Sequence, residues 1–458
     1  MEFRAHIKNL GAVEEATINV KPLTLIAGEN ASGKSFVTKG LYCLLEAMSK
    51  DYLTETISRN TRSIEMDLVT LDAMIKQPAA IDAQFIKEMT EQHLPQLAKL
   101  ADLSRDANFA QQQELLPASP NPLTSLLNRL RDYRHQRARV ARMAKAVEVV
   151  DSIIKAAEEI QAHFSHAKSA VTQRIKDQVA DNLKHNLQIT NLAALINHNT
   201  RQAASVSIDA LGTLNINMQG GVDFSLKSDG LQEVQQLQKV IFIDSPVYLN
   251  IQKGLTRKRV GLWAARRLKE DRYLQGYPRY VDQLYSLIGE QYIDEPDFQE
   301  ISEEIQSLLN GRLTLSQSGE LVYTASTGQQ SPLSLTAMGV CNLGLIELLL
   351  RNNLINKGAF LIIDEPEAHV HPKWQVALMD ILYKIAKAGA NVIIATHSID
   401  MAKKTELLMK RDSIAKEIIS VNKMPSSKLP STADELDKIA EVLEDLSTPF
   451  YEMYLQGI

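Results

Sequence analysis

The chain contains few cysteines and few aromatic side chains. Of its 458 residues, two are cysteine and 5% are aromatic, while 45% are hydrophobic. Cys43 and Cys341 each lie in an apolar, helix-like run, and their spacing indicates no metal site. We therefore expect two buried, reduced thiols, as suits a reducing cytoplasm, and much helix built from aliphatic residues.

Long hydrophobic runs and a secretory leader are also absent. No uncharged apolar stretch approaches the ~18 residues that a membrane span needs, so we expect no membrane association. Residues 1–8 include no continuous apolar run, and Glu14 and Glu15 follow soon after, which argues against a signal peptide. The formal net charge of -5 argues against nucleic-acid binding over the whole surface but leaves local basic patches open.

The hydrophobic pattern predicts an α/β fold whose core is interrupted by a helical insertion. Residues 1–27 have the pattern of strands, and the apolar run 23–27 has the composition of a buried parallel strand. Later segments alternate between helix and strand, which predicts a doubly wound parallel sheet, at 337–352, 359–363, 373–388 and 391–395. The predicted segments are an N-terminal lobe, a helical insertion, a C-terminal lobe and a helical tail, at 1–50, 51–200, 201–415 and 416–458.

The insertion and the tail both contain amphipathic helical patterns. In the insertion, spacings of three and four predict the seam of a short antiparallel coiled-coil hairpin, at Val140, Met143, Val147, Val150, Ile154 and Ala157. The returning helix is expected to contribute Val171, Ile175, Val179, Leu183 and Leu187. In the tail, Thr432 and Glu435 have capping-box spacing. The apolar stripe after them indicates a helix that packs on its own head or docks a partner.

The strongest motif is a phosphate-binding loop between a predicted strand and a predicted helix. The sequence from Gly28 to Ser35 reads Gly-Glu-Asn-Ala-Ser-Gly-Lys-Ser, which matches G-x-x-x-x-G-K-[ST]. Glycines let the backbone wrap a phosphate, and amides at a helix N-terminus present partial positive charge to it. Lys34 is expected to reach the β and γ phosphates of ATP, and the Ser35 hydroxyl to ligate Mg²⁺. The residues predicted to bind the nucleotide here are Gly28, Asn30, Ala31, Ser32, Gly33, Lys34, Ser35 and Phe36.

Two later apolar runs also end in chemically active side chains. The run 360–363 ends at Asp364 and Glu365, and ligands in open α/β sheets bind at the carboxyl ends of strands. We expect Asp364 to hold Mg²⁺, directly or through water, and Glu365 to be the general base for the attacking water. The run 392–395 leads to His397, which we expect to contact the γ-phosphate and that water.

Together these motifs resemble the ABC-type ATPase heads of the SMC, RecF and overcoming-lysogenization-defect families. The resemblance covers roughly half the chain, about 1–50 and about 235–410. It includes the run Asp-Glu-Pro-Glu-Ala-His-Val-His-Pro at 364–372. The resemblance implies that two heads sandwich two ATP molecules and that the partner's signature loop closes over each γ-phosphate.

The signature region departs from the pattern of those families. In place of Ser-Gly-Gly-Gln/Glu, residues 334–339 read Ser-Leu-Thr-Ala-Met-Gly. Thr336 or Ser334 could supply the hydroxyl, and Gly339 the close approach to phosphate. This departure argues against fast, dimer-driven hydrolysis. The glutamine that helps to hold Mg²⁺ in those families has only weak candidates here, at Gln111, Gln112 and Gln113.

Two basic clusters leave nucleic-acid binding open, beside the alternatives of a solvated helix face or a docking surface. The first is Arg129, Arg131, Arg134, Arg137, Arg139, Arg142 and Lys145. The second is Arg257, Lys258, Arg259, Arg266, Arg267 and Lys269. A metal site at His369 and His371 is disfavoured, because residues two apart do not share a helix face and no third ligand is evident.

The sequence shows no nuclease motif beside the ATPase motifs. A compact head of this kind resembles the ATPase subunits of two-gene bacterial anti-phage systems. Septu systems pair such a subunit with an HNH-type nuclease, and PARIS systems, with a TOPRIM-like effector, are the near alternative. The resemblance implies a homo-oligomer that assembles through its heads and controls a separate nuclease. Two alternatives stay open: a DNA-repair or chromosome-maintenance ATPase, and a nucleotide-locked scaffold with little turnover.

Overall fold

The structure is a computed structural model that describes most of the chain. The described residues are 1–75, 78–105, 121–227, 230–244, 276–289, 296–316, 320–425, 427, 429–430 and 432–455. Their contacts divide the chain into two compact units. The core unit comprises Met1–Ser49, Lys176–Ser228 and Gln236–Ile458, and the helical unit comprises Lys50–Ile175 and Asp229–Gln235.

The strands all lie in the core unit. In chain order they are β1 (Phe3–Leu10), β2 (Val13–Val20), β3 (Leu23–Gly28), β4 (Ala204–Ile208), β5 (Gly212–Ile216), β6 (Val222–Leu226), β7 (Val240–Ile243), β8 (Gly311–Leu315), β9 (Leu321–Ala325), β10 (Gln330–Pro332), β11 (Phe360–Asp364), β12 (Asn391–Thr396) and β13 (Ile419–Met424).

The helices are distributed over both units. In chain order they are α1 (Lys34–Met48), α2 (Tyr52–Met74), α3 (Ala80–Glu88), α4 (Leu94–Arg105), α5 (Pro122–Arg137), α6 (Ala144–Ser165), α7 (Ala167–Leu187), α8 (Gly230–Gln236), α9 (Arg279–Ile288), α10 (Gln299–Leu309), α11 (Met338–Arg351), α12 (Pro372–Lys387), α13 (Ile399–Arg411), α14 (Ser413–Ile418) and α15 (Glu435–Leu455).

A parallel sheet forms the centre of the core unit. Its strand order is β13-β3-β12-β11-β7, and every neighbouring pair is parallel. β3, β7, β11 and β12 are buried along their whole length, because parallel sheets carry helices on their faces and therefore need continuous apolar runs. The carboxyl ends of β3, β11 and β12 consequently meet at one edge of this sheet.

Two antiparallel sheets complete the core unit. The larger has the order β2-β1-β4-β5-β6, and the smaller has the order β10-β9-β8. β1 alternates buried and exposed positions, as expected for a strand with one face on a core. At the turn between β1 and β2, Gly11 has a φ of 58° and packs under the Phe36 ring, where an added Cβ would lie 2.5 Å from the ring. The first hairpin therefore rests on the start of α1.

The helical unit has its own apolar core. α6 packs mainly on α2 and α5, and its buried side is formed by Ala146, Val150, Ile153, Ala157, Ile160 and Phe164. The rings of Phe85 and Tyr133 stack with their centroids 3.7 Å apart. A π-helical turn at Met89–His93 joins α3 to α4.

The predicted α/β fold, with its parallel sheet and its helical interruption, is confirmed, but the coiled-coil detail differs. Of the predicted seam, Met143, Val150 and Ala157 are buried, whereas Val140, Val147 and Ile154 are only half-buried. The reason is that α6 is held between α2 and α5, so its buried side is broader than a two-helix seam and centred elsewhere.

The segment expected to be a helical tail contributes a strand before its helix. β13 comes first and pairs with β3, and α15 follows. The predicted capping box is not the cap that forms, because the Asp434 carboxylate accepts the Leu436 amide while Glu435 accepts the Val421 amide. The division into four segments stays a prediction.

Some predictions concern residues that the structure does not describe. Outside the described residues lie the candidate glutamines 111–113 and the second basic cluster at 257–269. Among the described helices, none combines the length and the apolar character that crossing a membrane requires.

Candidate active site

The loop between β3 and α1 contains two positions that only glycine can occupy without strain or a steric clash. A Cβ at Gly28 would lie 2.2 Å from the carbonyl oxygen of Met424 on β13. Gly33 has a φ of 95°, and a Cβ there would lie 2.6 Å from a methyl of Val13. Positive φ and close backbone approach are the two conditions that favour glycine. Because Gly33 caps α1, the amides of the first helical turn follow directly.

The Lys34 ammonium lies inside this loop. Its Nζ donates to the carbonyl oxygens of Gly28, at 2.9 Å, and Glu29, at 2.6 Å. Burial lowers the pKa of Lys34, and nearby carboxylates, Glu365 first among them, partly restore it. Ser32 Oγ is buried in the same loop without a hydrogen-bond partner. A phosphate in the loop would replace the two carbonyls as the partner of the ammonium.

Ser35 and Asp364 together fit a Mg²⁺ ion. Burial raises the pKa of Asp364 to about 6, and the nearby Ser35 hydroxyl acts in the opposite direction. In the part of the chain that the structure describes, the buried Asp364 Oδ1 has no hydrogen-bond partner. A hydroxyl and a carboxylate oxygen are ligands that Mg²⁺ accepts alongside substrate phosphates. These two residues would hold the ion, which would neutralise charge on the phosphates when bound.

Asp244 is a neighbour of this pair that the sequence analysis assigned no role. The register of β7 on β11 pairs Ile243 with Ile363, so the next residues, Asp244 and Asp364, lie beside each other. Asp244 Oδ2 is 3.3 Å from Lys39 Nζ, and Asp244 adds to the raised pKa of Asp364. The signal was present in the sequence, because the apolar run 240–243 also ends in an acid.

Glu365 and His397 lie next to each other at the ends of β11 and β12. Glu365 has a φ of 50°, and its amide donates to the Ala395 carbonyl at 2.9 Å. His397 Nδ1 is 3.7 Å from Glu365 Oε1, and both side chains are about two-fifths exposed, at 39% and 42%. A carboxylate with access to solvent beside a bound phosphate can accept a proton from water.

Glu367 is a second residue that the sequence analysis left without a role. Its side chain is buried, and Oε1 accepts hydrogen bonds from Thr396 Oγ1 and from the His397 amide, both at 2.7 Å. His371 also has a structural role, because its ring nitrogen accepts the Lys373 amide and caps α12. Among the described residues, no group of three or more His, Cys, Asp or Glu side chains could hold a metal.

The signature residues have local contacts of their own. Thr336 Oγ1 donates to the Pro332 carbonyl at 3.0 Å. Gly339 lies in the first turn of α11, where the atoms nearest to an added Cβ belong to Trp374 and Val370. Leu335 is 81% exposed. The structure thus brings together the phosphate loop, Asp364, Glu365 and His397. The predicted signature residues have other neighbours: Thr336 is hydrogen-bonded to Pro332, and Gly339 lies beside Trp374 and Val370.

The first basic cluster is largely paired within the helical unit. Arg129, Arg131 and Arg137 form ion pairs with Glu88, Glu158 and Asp82, at 2.7, 2.6 and 2.7 Å. Arg134 pairs with Asp151 in the same way. These arginines connect α5 to α3 and α6, so their first role is to hold the helices together.

The site as a whole defines a nucleotide-binding ATPase. A phosphate loop, an acidic pair after a buried strand and a histidine after the neighbouring strand lie at the carboxyl ends of one parallel sheet. Within that class, a family profile described as AAA ATPase domain matches residues 4–402. The chain belongs to this AAA ATPase domain family.

Other comparisons add little to this assignment. No curated protein matches the chain. The solved structures that are similar to it include an SmcHead bound to the C-winged helix domain of ScpA, with 12% identity over 88% of this chain and 91% of that one, at a TM-score of 0.38. Another is the SMC head domain from Thermotoga maritima, with 10% identity over 88% and 92%, at 0.35. A third is an Smc head domain with a coiled coil and joint from Pyrococcus yayanosii, with 12% identity over 98% and 99%, at 0.34. With TM-scores below 0.5, no conclusion rests on these likenesses.

Proposed function

We propose that this chain is the ATPase subunit of a bacterial anti-phage defence complex and that it controls a separate nuclease. The subunit most like it would be PtuA of Septu systems, with an HNH-type nuclease as partner. AriA of PARIS systems, with a TOPRIM-like effector, is the near alternative. The complex would act in the cytoplasm, where the two buried free cysteines suit a reducing environment.

The ATPase site would act through the residues at the sheet edge. Gly28 to Ser35 would bind the phosphates, with Lys34 replacing its two carbonyl partners by phosphate oxygens. Ser35 and Asp364 would hold Mg²⁺, and Glu365 would accept a proton from the attacking water. His397, next to Glu365, would orient that water and the γ-phosphate.

The observation that carries the assembly proposal is the exposure of apolar side chains at two places in the core unit. Leu335, next to the predicted signature residue Thr336, is 81% exposed. On α15, the first half packs on the core through Ile439 and Val442, whereas the second half leaves its apolar side chains exposed, at Phe450, Tyr451, Met453, Tyr454 and Leu455. Exposed apolar groups of this size are typical of surfaces that bind other proteins.

In this proposal the two surfaces have different partners. ATP would bring two heads together with Leu335 and Thr336 at the interface, and Gly339 would approach the partner head's γ-phosphate. The end of α15 would hold the nuclease. A change in nucleotide state would then change the head–head assembly and release or activate that nuclease.

The test is to purify the chain from cells that also express its neighbouring genes. The mass of the complex and its nuclease activity are measured with and without ATP. The Glu365→Gln variant should accumulate an ATP-bound assembly, and Leu335→Ser should weaken assembly while Leu308→Ser, on the exposed side of α10, should not.

Three outcomes separate the proposal from its alternatives. A co-purifying nuclease whose activity changes with ATP supports the defence role. A dimer without a nuclease, whose ATPase is stimulated by DNA, favours a repair or chromosome-maintenance ATPase. Tight ATP binding with negligible turnover favours a nucleotide-locked scaffold.

A further inference from the structure

Glu367 is a buried carboxylate beside the ATPase site, two residues beyond Glu365. It is 6% exposed, and its Oε2 is buried with no hydrogen-bond partner among the described residues. Burying a carboxylate is costly unless hydrogen bonds or opposite charges stabilise it. A buried carboxylate with one oxygen unsatisfied therefore requires an explanation.

The hydrogen bonds of the Glu367 carboxylate lead to the end of β12. Oε1 accepts from Thr396 Oγ1 and from the backbone amide of His397, both at 2.7 Å. The same oxygen lies 3.2 Å from His397 Nδ1, although the two atoms are not aligned for a hydrogen bond. The carboxylate thus holds the backbone of His397 and lies close to Nδ1 of its ring.

The ring of His397 presents its two nitrogens to different surroundings. Nδ1 is buried against the carboxylates, at 3.2 Å from Glu367 and 3.7 Å from Glu365, while the side chain as a whole is 39% exposed. Because Nδ1 is buried, the exposed part of the side chain lies elsewhere, and we infer that it includes Nε2 on the opposite edge of the ring. Nε2 is the nitrogen that can meet a nucleotide.

We propose that Glu367 is a positioning residue for ATP hydrolysis, which fixes the orientation and the tautomer of His397. Its negative charge, 3.2 Å from Nδ1, favours the neutral ring with the proton on Nδ1, because it attracts the N–H dipole and repels a lone pair even without an aligned hydrogen bond. Nε2 is then always the nitrogen that faces the γ-phosphate and the attacking water. Glu367 itself does not touch the substrate.

A purely structural role for Glu367 is the rival explanation. The loop after β11 has a second link to the loop after β12, since Ser398 Oγ donates to Gln375 Oε1 at 2.6 Å. Gln375 also donates to the Val370 carbonyl at 2.7 Å. This link joins the same two loops without contact to the His397 ring, so Gln375→Met is a matched control.

Steady-state kinetics on the full chain separate these explanations. Glu367→Gln keeps an oxygen that can accept from Thr396 and His397 but loses the negative charge. We expect kcat to fall by about 10- to 100-fold with KM changed by less than about threefold, and Gln375→Met to stay close to the wild type. An equal loss in both variants would overturn the proposal.

A double-mutant cycle tests whether Glu367 acts through His397. If it does, adding Glu367→Gln to His397→Ala should slow hydrolysis by no more than about twofold beyond His397→Ala alone. Additive losses would show that Glu367 acts independently of the histidine, and the proposal would then be wrong.

A spectroscopic measurement covers the case in which the chain hydrolyses ATP too slowly for kinetics. Histidines are labelled with ¹⁵N, and the His397 signals are assigned by their loss in His397→Gln. We expect a protonated Nδ1 in the wild type and in Gln375→Met, and a shift toward the Nε2–H tautomer in Glu367→Gln. The same tautomer in all three proteins contradicts the proposal. This readout does not depend on the proposed defence role.

Discussion

The two units use their charged side chains in opposite ways. On α5 of the helical unit, Arg129, Arg131 and Arg137 each have an acidic partner on a neighbouring helix. At the sheet edge of the core unit, by contrast, one buried carboxylate oxygen each of Asp364 and Glu367 has no hydrogen-bond partner within the described segments. The first arrangement is complete within the protein, whereas the second leaves acceptor oxygens, of which Asp364 Oδ1 is the one that a bound Mg²⁺ ion would satisfy.

This comparison separates structural charges from functional ones. A row of arginines in the sequence resembles a nucleic-acid surface, but the acids that neutralise it are distant in sequence, such as Glu88 for Arg129. Conversely, acids after buried strands resemble ordinary helix caps until the sheet places them side by side. Whether a charged side chain has a partner within the protein therefore indicates its role better than the presence of the charge in the sequence.

The largest expected effect lies in the core unit, at Lys34. Lys34→Ala should weaken ATP binding by roughly 100-fold or more, because it removes the buried ammonium that would meet the phosphates. Equilibrium binding of a fluorescent ATP analogue measures this loss. Lys8→Ala, which removes an exposed ion pair with Glu15 on the first hairpin, is the control. Retained affinity in Lys34→Ala would exclude the loop as the phosphate site.

The next effect should fall on stability and leave the nucleotide site intact. Asp82 is buried in the helical unit and accepts from Tyr133 Oη at 2.8 Å, Arg137 Nε at 2.7 Å and the Ala79 amide at 2.9 Å. Asp82→Ala should destabilise that unit by about 3 kcal/mol, because it leaves buried donors unpaired. Urea unfolding followed by circular dichroism measures the change.

The Asp82 variant also tests how separate the two roles are. ATP affinity should stay within about twofold of the wild type, since no free energy of phosphate binding is lost. A large loss of ATP affinity would break the comparison between the units.

A smaller effect is expected for the exposed arginines of the first basic cluster. Arg131 and Arg134 already pair with Glu158 and Asp151, so Arg131→Ala with Arg134→Ala should change neither the thermal midpoint nor any DNA affinity appreciably. Fluorescence anisotropy with duplex DNA is the measurement, and Arg139→Ala with Arg142→Ala is the companion variant. A strong loss confined to the first pair would identify it as a DNA-binding surface.

The smallest effect concerns the two thiols of the core unit. Burial raises the pKa of Cys43 to about 12 and that of Cys341 to about 11, so almost no reactive thiolate is present at pH 8. A colorimetric thiol reagent should detect neither cysteine in the native protein and both after denaturation. Rapid reaction of either in the native state would show that the core unit opens more readily than its packing indicates.

The strands β3, β11 and β12 and their motifs could be predicted from the sequence because each is a short apolar run that leads to its own functional residue. Asp364 ends its buried strand, His397 follows its own buried strand directly, and α12 between them has a clear apolar period. The roles of these residues remain predictions, but their proximity in the structure is what the motif order indicated.

The remainder could not be predicted because it depends on contacts between distant segments. The buried side of α6 depends on α2, which is about 90 residues earlier, so a two-helix seam gave the wrong set of buried residues. Glu367 looked like part of a motif run, and only its hydrogen bonds to Thr396 and His397 reveal its environment. Asp244 could have been noticed, but nothing in the sequence fixes which strand lies next to β11.

The edge strand β13 has a consequence for anyone who would shorten this protein. Family similarity ends at residue 402, yet β13 pairs with β3 along all six of its residues, and the Met424 carbonyl lies against Gly28. Lys423 in turn pairs with Glu441 and Asp445 on α15, which fastens the helix to the strand. Truncation at residue 402 would therefore remove β13, the strand that packs against Gly28 at the start of the phosphate loop. The smallest piece that can be expected to bind ATP extends to the middle of α15.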